Sequence, residues 1–245
     1  MSIHWQCYPD ARAAAAASAQ HIVTLLTHTF EAKPRASLAV SGGSTPKLLF
    51  EELVKFPLPW DRVHLFWVDE RAVPPADLQS NYRLADENLI APAVIPTANI
   101  HRIHGEAPPE TAAKQYAADI REYFGLVDGE LPHFDIVQLG MGPDAHTASL
   151  FPGDPLIEDR KGIAAAVFAQ KVPRWRVTLL PGVLLAARNT VFLVAGDDKA
   201  PAVKAVFEGE YDPQRFPAQL ASRHGRSVYW FMDAVGRDCI PRADL

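Results

Sequence analysis

The chain has 245 residues, 24 Lys plus Arg against 29 Asp plus Glu and a formal charge of −5, with 48% hydrophobic and 22% charged residues. That is the balance of a globular protein long enough to bury a full core without a metal or disulfide staple. The mild acidity argues against non-specific binding to nucleic acid or an anionic membrane, and no apolar run approaches the roughly 20 residues of a membrane span.

The opening MSIHWQCYPD has no basic segment followed by an apolar one, so no signal peptide is expected. Cys7 and Cys239 belong to no CxxC pair. Two reduced thiols in a cytoplasmic protein is the simpler expectation, an end-to-end disulfide the alternative. Asp10 is placed to cap a helix running through the alanine tract 11–19 into HIVTLLTHTF. ASLAV, 36–40, is a short apolar strand stopped by Gly42 and Gly43, after which Thr45 and Pro46 read as N-cap and first residue of the helix KLLFEELVKF. VHLFWV, 63–68, is a buried strand, and Ser80 caps NYRLADENLI. Pro108 and Pro109 open a helix carrying Tyr116, Ile120 and Phe124. FDIVQLGM, RVTLL and TVFLVAG read as three more buried strands, with a short helix at 183–188 between the last two. DDKAPAVKAVFEG is a helix and SVYWFMD a late strand. Apolar runs alternating with helices predict an α/β fold, a largely parallel sheet with helices on both faces. The 21 prolines are spread through the connections, so one domain over 1–245 is expected.

In such sheets ligands bind beyond the carboxyl ends of the strands. There the chain carries SGGSTP after ASLAV, DER after VHLFWV, GPDAHTASLFPG after FDIVQLGM and DDK after TVFLVAG. Gly42, Gly43, Ser44 and Thr45 form a strand-to-helix turn that could cradle a phosphate or could be only a well-capped turn. Asp69 and Arg71 could hold sugar hydroxyls and phosphate, or form a solvated ion pair. Asp144 lies two residues before His146 in a glycine-rich loop, where a carboxylate could fix the tautomer of an imidazole base. Arg176 and Lys199 are further cations within reach of a phosphate or ester carbonyl, each with a solvated alternative. His101 and His104 have a spacing compatible with a metal but no Cys or carboxylate cluster beside them, so they read as surface or packing and no metal site is expected.

Four segments in order, SGGSTP, DERAVPPADLQSNYRL, LGMGPDAHTASLFPG and RVTL followed by FLVAGDDKA, resemble the 6-phosphogluconolactonase family. The resemblance implies a modified Rossmann-like fold shared with glucosamine-6-phosphate deaminase, ribose-5-phosphate isomerase and coenzyme A transferases. It further implies hydrolysis of 6-phospho-D-glucono-1,5-lactone in the oxidative pentose phosphate route, with no cofactor and no obligatory protein partner. His146 becomes the general base, Asp144 its orienting group, and Gly42, Gly43, Ser44, Thr45, Asp69, Arg71, Arg176 and Lys199 the substrate-binding set. The related deaminase-isomerase chemistry is the first alternative, but it uses a carboxylate soon after the histidine, and TASLFPG has none. A non-catalytic sugar-phosphate sensor is the second; such regulators usually carry an added DNA-binding domain, which is not expected here, where the N-terminal segment is short and the net charge is negative. The family often has glycine where Ala145 stands, so the loop is expected to use a backbone geometry that an L-residue tolerates.

Overall fold

The computed structural model describes residues 2–170 and 172–236; Cys239 lies outside them. Among the described residues ten strands run in chain order: β1 (Ser2–Cys7), β2 (Ala36–Val40), β3 (Val63–Trp67), β4 (Asp69–Arg71), β5 (Ile100–His101), β6 (Ile136–Leu139), β7 (Ala164–Ala169), β8 (Arg174–Leu179), β9 (Asn189–Val194) and β10 (Ser227–Met232). Among them lie α1 (Ala11–Ala32), α2 (Ser44–Leu53), α3 (Asn81–Ala85), α4 (Ala91–Ala93), α5 (Pro109–Phe124), α6 (Pro181–Ala186), α7 (Ala200–Phe207) and α8 (Ala218–His224). A π-turn at Asp86–Ile90 continues α3 into α4.

Seven strands form one parallel sheet in the order β1-β10-β9-β6-β2-β3-β5. Every residue of β2 and β6 is buried, as strands covered on both faces must be. Helix α1 packs on α2 and across β9 and β10; its N-cap is Asp10, whose carboxylate accepts from Ala13 N at 2.8 Å. RVTLL falls in β8, which joins no strand of the parallel sheet: β4, β8 and β7 make a separate antiparallel sheet. Strands β1, β4, β5 and β7 and helix α8 go beyond the elements predicted from the sequence.

The expected N-cap at Thr45 is corrected. Helix α2 starts at Ser44, with Gly43 as N-cap at φ +119, a conformation open to glycine alone, and no side-chain capping bond. Thr45 and Pro46 both lie inside its first turn, and the helix stops at Leu53.

The chain leaves β2 toward β3 and β5, then returns to β6 on the other flank and moves out to β9 and β10. The connections after β2 and β6 therefore diverge and open a crevice between their carboxyl ends. The β2–β6 ladder registers only Leu38 with Ile136 and Ala39 with Val137, and side chains extend it at both ends. At the amino end Ser37 N and Oγ both donate to Asp135 Oδ2 at 3.0 Å. At the carboxyl end Ser41 N donates to Gln138 Oε1 and Ser41 Oγ to Gln138 O, each at 3.0 Å. No helix among the described residues is long and apolar enough to cross a membrane.

Candidate active site

A cleft of about 530 Å³ occupies the carboxyl end of the parallel sheet at that crevice. Its walls include Gly42, Gly43, Ser44 and Thr45 from the turn after β2, Asp69 and Arg71 from β4, His146 from the loop after β6, Arg176 from β8 and Lys199 from the turn after β9. Every residue of the expected substrate-binding set is brought together there. Asp144 stands behind the wall, bonded to His146.

The histidine loop is built around that pair. Asp144 Oδ1 is 2.5 Å from His146 Nδ1 and also accepts from His146 N at 3.3 Å. An ionised carboxylate only accepts, so a neutral ring in this contact carries its proton on Nδ1, toward Asp144, and its lone pair on Nε2. The imidazole packs on Phe151, ring centroids 4.8 Å apart. Contrary to expectation, Ala145 sits at φ +62, and Ala148 at φ +50. The chain holds Ala145 there through a turn bond, Ala145 N to Gly142 O at 3.0 Å, and a tertiary bond, Ala218 N to Ala145 O at 2.9 Å, which together outweigh the residue's own preference.

The two carboxylates of DER part company. Glu70, 2% exposed, turns away from the cleft and accepts from Arg71 N, Asn81 N, Tyr82 N and Ser80 Oγ at 2.7–2.9 Å, docking the start of α3. Burial pushes its carboxyl up, and these four bonds pull the other way. Asp69 faces the cleft instead and accepts from Ser149 Oγ at 2.6 Å.

The cations follow from the small sheet. The β4–β8 register sets Arg71 directly opposite Arg176, a juxtaposition of like charges that costs stability unless an anion lies between them. Arg71 donates through Nη1 to Gln79 O at 2.7 Å. Arg176 is 15% exposed, with Nη1 3.5 Å from Asp69 Oδ2; burial lowers its pKa, opposed chiefly by Asp69. Lys199 pairs with Asp198 at 2.9 Å.

His101 and His104 lie elsewhere. The His101 ring stacks on Phe66 at 4.2 Å and bonds Asp119 at 3.0 Å, whereas His104 is exposed near Glu106 at 3.4 Å. Among the described residues, no group of three His, Cys, Asp or Glu side chains could hold a metal ion. Among the residues that escaped the sequence are Asn81, hidden behind its capping Ser80, and Ser149, inside the run that carries His146.

The family described as glucosamine-6-phosphate isomerases/6-phosphogluconolactonase matches residues 9–230. The 6-phosphogluconolactonase of Synechocystis sp. is 37% identical over 213 residues, 86% of this chain and 88% of that one. The structure of 6-phosphogluconolactonase from Thermotoga maritima superposes with a TM-score of 0.82 at 28% identity, covering 95% of this chain and all of the other. A monomeric glucosamine-6-phosphate deaminase shares the fold, with a TM-score of 0.81 at 18% identity and 98% of this chain covered against 100% of that one.

Proposed function

Since the chain belongs to the family of glucosamine-6-phosphate isomerases and 6-phosphogluconolactonases, we propose that its cleft hydrolyses 6-phospho-D-glucono-1,5-lactone to 6-phosphogluconate, with the whole chain acting as one α/β domain. The curated relatives at 31–37% identity that carry the lactonase name support that reaction over the deaminase alternative. The observation that carries the mechanism is the 2.5 Å contact of His146 Nδ1 with Asp144, in a ring that also lines the cleft.

His146 Nε2 takes a proton from water as the water oxygen attacks C1 of the lactone. The tetrahedral intermediate then collapses, the C1–ring oxygen bond breaks, and the imidazolium returns the proton to the leaving ring oxygen. Asp144 holds the ring in the required tautomer and stabilises its charged form. The amides at the start of α2, the hydroxyls of Ser44 and Thr45, and the cations Arg71, Arg176 and Lys199 bind the phosphate and orient the sugar, which contributes positioning rather than chemistry. Among the described residues no serine or cysteine lies in an elbow motif with a triad, so direct attack by water is the simpler route.

Lactone disappearance with and without protein, at a pH where the spontaneous reaction is slow, tests this directly. Acceleration is expected, and His146→Ala should lower kcat by at least about a hundredfold with product affinity nearly unchanged. No acceleration, or ammonia release from glucosamine 6-phosphate instead, would overturn the assignment. Near-normal turnover in the variant would remove His146 from the mechanism.

A further inference from the structure

Three segments distant in sequence meet on the carboxylate of Asp69. Ser149 Oγ donates to Oδ2 at 2.6 Å, and Asn81 Nδ2 donates to the Asp69 carbonyl at 2.9 Å and to Oδ1 at 3.3 Å. Arg176 comes last: Nη1 stands 3.5 Å from Oδ2, well beyond the roughly 2.7–2.9 Å of a charge-assisted bond. Its Nε is buried and has no partner among the described residues.

Ser149 and Asn81 are themselves 0% and 1% exposed. Thr178 Oγ1, on the same strand as Arg176, accepts from Ser149 N at 3.1 Å. Asn81 Oδ1 lies against the glycine turn, where a Cβ added at Gly42 would fall 1.7 Å from it. The bare backbone of Gly42 makes room for Asn81.

We infer that Ser149 and Asn81 are positioning residues that clamp Asp69 and so keep Arg176 from being absorbed into a full ion pair with it. The carboxylate uses its lone pairs on a hydroxyl and an amide, and the guanidinium keeps donors for the anionic group of the substrate. Neither residue touches the reacting atoms. Remove the Ser149 hydroxyl, and Oδ2 has the guanidinium to turn to. Arg176 then closes onto Asp69 in a two-bond pair, and its donors are lost to the ligand. Anion affinity falls while proton transfer at His146 continues. This inference rests on the cleft being the sugar-phosphate site.

Steady-state kinetics on Ser149→Ala, Ser149→Thr, Asn81→Ala and Arg176→Ala test it. Ser149→Ala should raise KM for the lactone about tenfold with kcat within about threefold of the parent. Its affinity for 6-phosphogluconate, read by calorimetry, should fall by the same factor. Ser149→Thr, which keeps the hydroxyl, should restore both, and Asn81→Ala should repeat the KM effect if Ser149→Ala does not fold. KM unchanged in both alanine variants, or a fall in kcat and Tm with KM unchanged, overturns the clamp. If Arg176→Ala raises KM where Ser149→Ala does not, the clamp alone is wrong. If Arg176→Ala also leaves KM unchanged, the placement of Arg176 on the substrate falls with it.

Discussion

Ala145 is held in a backbone conformation that alanine resists. A left-handed L-residue is strained by about 1–2 kcal/mol, and glycine would relieve that strain at the cost of one buried methyl, about 0.8 kcal/mol, and a more flexible unfolded chain. The terms nearly cancel, so Ala145→Gly should leave stability within about 0.5 kcal/mol of the parent. Ala19→Gly, at an equally buried site inside α1, relieves no strain and should cost about 1.5–2 kcal/mol. Urea midpoints of the two variants check this, and equal losses would show that the strain at Ala145 is absent. The expectation of a relaxed Ala145 fails because one of its backbone partners, Ala218, lies 73 residues away and leaves no local mark. The hydroxyls of Ser44 and Thr45, His146 beside Asp144, and the cations Arg71, Arg176 and Lys199 were legible at this scale because each type announces its chemistry. Ser149 was not, because its partner Asp69 lies 80 residues away.

Among the elements, the apolar runs located β2, β3, β6, β9 and β10 because a strand covered on both faces needs no alternation. The elements that were missed had no such signature. Strand β4 is three charged residues, β5 is two residues long, and β7 begins with three alanines. Nor does an apolar run say which sheet it joins, which is why β8 is assigned only by its partners. Strand β3 is continued past its short ladder with β5 by Tyr116 of α5, whose hydroxyl donates to Trp67 O at 2.6 Å and accepts from Trp67 N at 2.9 Å. The same edge carries a histidine pair: His64 Nδ1 lies 3.0 Å from His101 Nε2, and His101 Nδ1 contacts Asp119. Tyr123 and Arg35 close over the pair. Burial, then His101 and Arg35, push His64 down to about 4. Above its ordinary 6.5 the ring is neutral folded or unfolded, and its contribution to stability is complete. As pH falls from 6.5 toward 4 the unfolded chain takes up a proton that the folded chain refuses, and stability is lost across that window. Glu106, held down to about 2 by Arg102, acts only below the ordinary carboxylate range. His64→Gln should therefore show a smaller drop in unfolding free energy between pH 7 and pH 5 than the parent. An identical drop would mean that the ring is not kept neutral by its surroundings.

At the scale of the molecule, the cleft is assembled from turns between Gly42 and Lys199 that follow β2, β6 and β9 and from strands β4 and β8. Local sequence shows the turns but not their meeting. That depends on the strand order, which puts β9, β6 and β2 side by side and sends the chain apart between β6 and β2. A ligand bridging these segments binds only the folded chain, so it must stabilise the whole fold by RT ln(1 + [L]/Kd). At about a hundred times its Kd, 6-phosphogluconate should add about 2.7 kcal/mol, which for a chain of this size raises Tm by about 5–10 °C. Gluconate lacks the phosphate that the glycine turn and the three cations are proposed to hold, and at the same concentration it should raise Tm far less. Lys199→Ala and Arg176→Ala should each shrink the shift with phosphogluconate, read against each variant's own unliganded Tm. Thermal scans of the three proteins with both compounds separate phosphate recognition from general sugar-acid binding. Equal shifts with and without the phosphate would put the anchoring group elsewhere and dissolve the case for a sugar-phosphate site at this end of the sheet.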